Sequence, residues 1–200
     1  SDTNTANKGF GSEFAADVIE REGQKILVVK EKLSQYVRAS LIPNQTADTF
    51  RQEIISMTLD LIPDSGAVIR VDGATAFQSL ERESLTNGST LNKLGLKIEV
   101  GRLLNKNKNA AVEIANKEIE KEILRLKETK GKITAVELSM VLKNVNTRIR
   151  YHGLSSREIV FRRRMDNEEK DVNDKEVKDK QLDNKKKESE HGEKFKSKFL

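Results

Sequence analysis

Cysteine is absent from the 200 residues, and histidine occurs only as His152 and His191. Disulfides and cysteine-ligated zinc are therefore excluded, and two histidines so far apart build no zinc module. Tryptophan is missing too, and only Pro43 and Pro63 punctuate the chain. No apolar run approaches the ~18 residues a membrane-spanning helix needs, so no membrane partner is expected. No secretory leader is expected, and residues 1–12 read as a polar linker. Without cysteine the chain suits a reducing compartment. It also lacks a G-x-S-x-G nucleophile turn and a phosphate-binding glycine loop.

Hydrophobic residues make up 36% of the chain, and the shortfall is concentrated at its end. Residues 165–200 hold 10 of the 37 basic and 11 of the 32 acidic residues, leaving the body with 27 and 21, a net +6. A segment so charged cannot bury enough surface to offset ordering entropy of roughly 1–2 kcal/mol per residue. It is expected to be disordered or a fraying charged helix. The preceding residues are numerous enough to form a core. A basic body suits a phosphate-bearing partner, since neutralising phosphates releases counterions, although a merely soluble basic protein has the same charge.

Residues 14–19, 25–30 and 36–42 read as strands joined by short links, an antiparallel meander with a turn at Glu22-Gly23. The four apolar residues of 25–30 run together, as in a strand buried on both faces. Val37, Ala39 and Leu41 alternate with Arg38 and Ser40. A helix over about 47–62 carries Phe50, Ile54, Met57 and Leu61 on one stripe and stops at Pro63. A strand at 67–71, a short helix near 74–83, a polar loop at 84–95 and a strand at 96–100 follow. After the basic loop 101–109, a helix from Ala110 to about Lys127 has Val112, Ala115, Ile119, Ile123 and Leu126 as its buried stripe. Thr134 caps another helix to about Thr147, and Ser155 or Ser156 starts a last one through Arg162. There is no internal repeat. This order predicts a mixed sheet with helices packed on it.

Three carboxylates are poorly placed for water on this reading: Asp17 inside an apolar strand, Asp72 at a strand end, and Glu113 beside a buried helical stripe. Such groups are costly unless paired or metal-bound. Hard oxygen ligands suit Mg²⁺ or Mn²⁺. Two such ions about 3.5–4 Å apart are the apparatus of phosphodiester chemistry. Each residue also has an ordinary reading. Asp72 suits a turn before Gly73, Glu113 is one of several helical glutamates, and Asp17 suits a strand edge.

From Phe14 to Arg164 the chain resembles the catalytic core of LTR-retrotransposon and retroviral integrases. The resemblance rests on "FAADVIEREGQKILVVKEKLSQYVRASLIPNQTADTFRQEI", "VIRVDGATAFQSL", "GRLLNKNKNAAVEIANKEI" and "NTRIRYHGLSSREIVFRRR", which occur in the family's order. It implies an α/β, ribonuclease-H-like fold: a five-stranded mixed sheet flanked by helices over 13–164, with the charged tail beyond. It further implies that Asp17, Asp72 and Glu113 hold two Mg²⁺ or Mn²⁺ ions for DNA 3′-end processing and strand transfer. Fifty-four residues separate Asp17 from Asp72, and 40 separate Asp72 from Glu113, a wider second gap than retroviral members keep. The polar loop 84–95 can absorb the extra length.

By the same resemblance Lys117, four residues after Glu113 and on its helix face, touches the element's DNA end. Asn105, Lys106, Asn107, Lys108 and Asn109 form the mobile loop beside the site, where they could hold phosphates; a solvated face explains the same residues. Arg162, Arg163 and Arg164 could grip DNA or simply suit a helix C-terminus. His152 reads as structural, and Lys185-Lys186-Lys187 resembles a nuclear signal weakly. The implied partners are the element's DNA ends, target DNA and further copies of the chain as a homodimer or larger oligomer. The implied location is the nucleus, after cytoplasmic assembly within a polyprotein. The family's zinc module and its C-terminal DNA-binding module have no counterpart here, which fits a polyprotein fragment or a domesticated element. Rival readings are a ribonuclease H or a transposase of the same fold, and a catalytically idle DNA-binding or assembly protein.

Overall fold

The computed structural model describes residues 9–73, 75–101, 110–127, 131–150, 153–165 and 177–183, except for the side chains of 110, 111 and 162–165. The chain forms two compact units, residues 1–146 and 147–200.

The first unit is built on a five-stranded sheet of order β3-β2-β1-β4-β5. β1 (Glu13–Arg21) and β2 (Gln24–Glu31) pair antiparallel, with Arg21 opposite Gln24. The two-residue link has positive φ at both Glu22 and Gly23, the backbone that lets a tight hairpin follow the strands' twist. β3 (Val37–Ile42) adds antiparallel to β2. The chain then crosses through α1 (Ala47–Thr58) and a 3₁₀ turn (Leu59–Leu61) to β4 (Ala67–Val71), which runs parallel to β1. α2 (Thr75–Leu85) and α3 (Thr90–Lys93) lead to β5 (Leu96–Val100), parallel to β4. α4 (Ala110–Leu126) and α5 (Ala135–Thr147) complete the unit. The expected mixed five-stranded sheet with flanking helices is thus present. One correction falls at 84–95, which is not all loop: the Ser89 side chain accepts from Asn92 N–H and starts the four-residue α3.

Side-chain alternation divides the sheet into two faces. Ile19, Ile26, Val28 and Val37, with Ala15, Ala39 and Leu41 partly buried, pack against Val112, Ala115, Ile119 and Ile123 of α4 and Leu138, Val141 and Val145 of α5. Phe14, Ala16, Leu27 and Val29 alternate with these and are buried as well. On that side α1 and α2 bring Phe50 and Phe77, stacked with centroids 4.2 Å apart, which adds about 0.5–1.5 kcal/mol to their burial.

Side chains bond to the backbone at both outer edges of the sheet. At β3, Asn146 Oδ1 accepts from Val37 N–H at 2.9 Å while its Nδ2 donates to Val37 O at 2.8 Å. At β5, Ile98 N–H donates to Ser84 Oγ and Val100 N–H to Glu81 Oε2. Open edges invite pairing with other chains, and these contacts take up three of the donors that would take part. Asn146 is only 5% exposed. Asn146→Ala should therefore strand two buried backbone groups and cost about 2–3 kcal/mol, read as a lower urea midpoint. An unchanged midpoint would show that water takes over both bonds.

In the second unit, Ser155 and Glu158 cap α6 (Ser156–Met165) reciprocally: Glu158 N–H donates to Ser155 Oγ and Ser155 N–H to Glu158 Oε2. This settles the start of the last helix on Ser155 as its cap. Within the charged C-terminal segment, residues 177–183 are helical, and Val177 there is 3% exposed. His152 and Lys185–Lys187 lie outside the described residues.

Candidate active site

The parallel β1–β4 ladder ends at Ala16 opposite Val71. Continuing that register by one residue brings Asp17 beside Asp72. β1 runs on, paired to β2 with Asp17 opposite Val28, while the chain after β4 turns away at Asp72-Gly73. The two aspartates therefore sit where the sheet opens, at the carboxyl end of β4, a position where α/β sheets commonly offer a crevice. β5 ends close by: Gly101 N–H donates to Val71 O at 2.8 Å. A Cβ on Gly101 would stand 3.7 Å from Asp72 Oδ1, in ordinary contact with that carboxylate.

Asp17 shares the sheet face of Ala15 and Ile19, which α4 covers. Its Oδ1 accepts from Val18 N–H at 2.8 Å, and its Oδ2 accepts from Asn116 Nδ2 of α4 at 2.9 Å. Both bonds favour the charged carboxylate, yet its pKa is raised above the ordinary 3.8. Burial is the largest cause, and the negative charges of Asp72 and Glu113 add to it. The carboxylates at the strand end and the helix start are thus each near enough to act on Asp17. Glu113 lies in the first turn of α4, where the helix dipole stabilises its charge.

The argument from poor hydration holds for Asp17 alone. Asp72 and Glu113 are exposed: Asp72 has already left the sheet, and Glu113 lies off the stripe formed by Val112, Ala115 and Ile119. Among the described residues, no three acidic, imidazole or thiol groups already stand close enough to enclose a single ion. The donor set nonetheless fits hard divalent cations. It is all oxygen, and its mutual repulsion at Asp17 is what a cation would relieve. Lys117 is exposed, on the helix face of Glu113. Asn105, Lys106, Asn107, Lys108 and Asn109 lie outside the described residues, as do the side chains of Arg162, Arg163 and Arg164.

Three residues of the site were not anticipated. Asn116 is the first, and a signal for it was present: it falls on the α4 stripe between Val112 and Ile119, where a polar side chain needs a partner. Its Oδ1 is buried without a hydrogen bond. Glu20 and Gln45 line a cleft of about 330 Å³ together with Asp17, Val18, Asp72 and Phe77. Gln45 Nε2 donates to Glu20 Oε1 at 2.8 Å. No local pattern marks this pair, which meets only through the return of the chain after β3.

No protein-family model and no curated protein sequence matches the chain. Among solved structures it is similar to the catalytic core domain of BIV integrase, at a TM-score of 0.57 and 18% identity, over 76% of this chain and 95% of that one. At that identity the likeness concerns the fold, which is ribonuclease-H-like: a mixed five-stranded sheet flanked by helices.

Proposed function

We propose that the chain is the catalytic core of a DNA-integrating polynucleotidyl transferase. The observation that carries this reading is that Asp17 of β1, bonded to Asn116 of α4, lies within reach of the negative charges of Asp72, just past the end of β4, and Glu113, in the first turn of α4. The net positive body defined above suits DNA as partner. Asp17, Asp72 and Glu113 would hold two Mg²⁺ or Mn²⁺ ions. When bound, such ions lower the pKa of an attacking oxygen and neutralise charge on the phosphate. The reaction is two in-line displacements: water cuts the element's DNA near its 3′ end, then the freed 3′-hydroxyl attacks a target phosphate. Asn116 holds Asp17 Oδ2 in place, and Lys117 offers a cation to a phosphate on the same side of α4. DNA ends and target are the partners, further copies of the chain complete the assembly, and the nucleus is the place of action.

The test is resolution of a branched DNA that mimics the strand-transfer product, which the same chemistry reverses without needing the unknown element-end sequence. Wild type in Mn²⁺ should release the joined strand. Asp72→Asn keeps shape but removes a charge that binds a hard cation, so it should lose both this activity and Mn²⁺ binding while its melting temperature holds. If Asp72 only supports the turn before Gly73, asparagine serves as well and both proteins behave alike. Intact Mn²⁺-independent DNA binding with no turnover in wild type would favour an idle assembly protein.

A further inference from the structure

Far from the carboxylates in sequence, α2 and α3 are joined by the turn Thr86-Asn87-Gly88-Ser89, in which Asn87 and Gly88 are exposed. It holds the chain's single Asn-Gly step; every other asparagine precedes a residue that carries a Cβ. Gly88 adopts φ +83, and a Cβ built on it would meet nothing within 4 Å. Glycine suits such a turn, and it also leaves its nitrogen without an attached side chain to shield it. The Gly88 N–H donates to Asn92 Oδ1 at 3.3 Å. That is longer than the usual ~2.9–3.0 Å, so the proton is weakly held. Among the described residues nothing bonds the Asn87 side chain, which leaves its amide free to turn towards the Gly88 nitrogen.

We propose that Asn87 is a site of spontaneous modification, converted through a cyclic imide to isoaspartate and aspartate, and that the isoaspartyl form releases α3 from the end of α2. The step needs only water and no part of the proposed active site. Gly88 N loses its proton and attacks Asn87 Cγ, forming an N–Cγ bond. The Cγ–Nδ2 bond breaks, and Nδ2 leaves as ammonia with that proton. Water then opens the imide. Opening at Cγ restores the normal main chain with aspartate. Opening at the main-chain carbonyl leaves the chain running through Cβ and Cγ as isoaspartate. Nothing is oxidised or reduced, and either product lowers the net charge of +5 by one. The isoaspartyl route adds one carbon to the main chain between Thr86 and Gly88. Ser89 N–H donates to Thr86 O at 3.2 Å and Ser89 Oγ to Glu83 O at 2.6 Å. The same Oγ accepts from Asn92 N–H and caps α3. An added carbon inside this closed turn lengthens the span that both bonds bridge, so Ser89 leaves its place and α3 loses its cap.

The experiment incubates the full folded chain in mildly alkaline buffer, which favours loss of the Gly88 N–H proton, and follows the tryptic peptide that lies between Arg82 and Lys93. Mass spectrometry should show the amide-to-acid shift placed on Asn87 by its fragments, with both products present. An isoaspartyl methyltransferase with labelled S-adenosylmethionine should label the same peptide. Mildly acidic buffer should slow the change, and Asn87→Gln, whose longer side chain closes this ring poorly, should suppress it. Asn87→Asp keeps the normal main chain and the new charge, so it is the reference for hydrogen exchange. The amides of α3 should exchange faster in the purified isoaspartyl chain than in Asn87→Asp. An Asn87 that stays intact in the folded chain yet is modified in urea overturns the inference, because the turn then protects it. Aspartate as the sole product also overturns it, since water would have attacked the amide without an imide. Equal exchange of α3 in the isoaspartyl chain and Asn87→Asp overturns the release of α3.

Discussion

Glu31→Leu should be among the most damaging single substitutions in the first unit, lowering its stability by at least about 3 kcal/mol. The carboxylate is 1% exposed and accepts four hydrogen bonds. Oε1 takes Gly11 N–H and Leu33 N–H, and Oε2 takes Ser34 N–H at 2.6 Å and Ser34 Oγ. Leucine fills the space but leaves these donors unpaired, at about 1–3 kcal/mol for each that water cannot reach. Against a usual total of roughly 5–15 kcal/mol, that is a large fraction. Glu31→Gln keeps one acceptor and turns an amide towards donors on the other side, so it should fall between the two. Gly11 belongs to the same knot. It sits at φ +76, and a Cβ there would lie 1.9 Å from Leu61 O, so Gly11→Ala must push the strand entry off Glu31. The double variant should lose less than the sum of the singles, because each breaks the same bond. Urea denaturation of wild type, these singles and the double variant checks this. A Glu31→Leu midpoint within error of wild type would mean the cluster is solvated and does not anchor β1.

That anchoring matters for the site because Asp17 follows Gly11 by only six residues, on β1. The positions of both aspartates follow from strand limits that are legible in the chain. β4 and β5 occupy 67–71 and 96–100 as their alternation and flanking glycines indicate, and β4 ends where Asp72-Gly73 signals a turn. β1 is longer than its apolar residues suggest. Its ends, Glu13 and Glu20-Arg21, are polar but still part of the sheet, paired to β4 and β2, and backbone pairing leaves no mark in composition. α3 was hidden for a similar reason. A four-residue polar helix has too few turns to show a periodicity, and only Ser89 as cap announces it. The α4 stripe was readable to its end, yet Asn116 was not picked out as a member. Asn146 is a second case, a polar residue on a buried helical face whose partner lies 109 residues away. Such residues announce that a partner exists without naming it. Glu20 and Gln45 announce nothing, because both are unremarkable surface types until the chain brings them into one cleft.

Asp17→Asn should abolish catalysis and, in metal-free buffer at neutral pH, make the protein more stable. Burial, Asp72 and Glu113 raise the folded-state pKa of Asp17 above 3.8. The folded chain therefore binds its proton more tightly than the unfolded chain, and stability falls as pH rises from about 3.8 through the raised value. At neutral pH the ionised group is a burden, and the amide removes it. The substitution also offers Asn116 a better match. Once the two amides reorient, the Nδ2 of the introduced side chain can donate to Asn116 Oδ1, which is otherwise buried without a partner. The melting temperature should rise by a few degrees at pH 7, and the gain should shrink to nothing below pH ~3.8, where Asp17 is neutral folded or unfolded. Mn²⁺ reverses the order at neutral pH: wild type gains stability with ion concentration as any protein does that binds a ligand only when folded, and the variant does not. Asn116→Ala separates charge from placement. It keeps the carboxylate but frees Oδ2, so Mn²⁺ should still bind, about 10–100-fold more weakly. Calorimetric melts at pH ~3.5 and 7, with and without Mn²⁺, read all three proteins. A metal-free Asp17→Asn protein less stable than wild type at pH 7 would show that the carboxylate's bonds to Val18 and Asn116 outweigh its burial and its neighbours' charge.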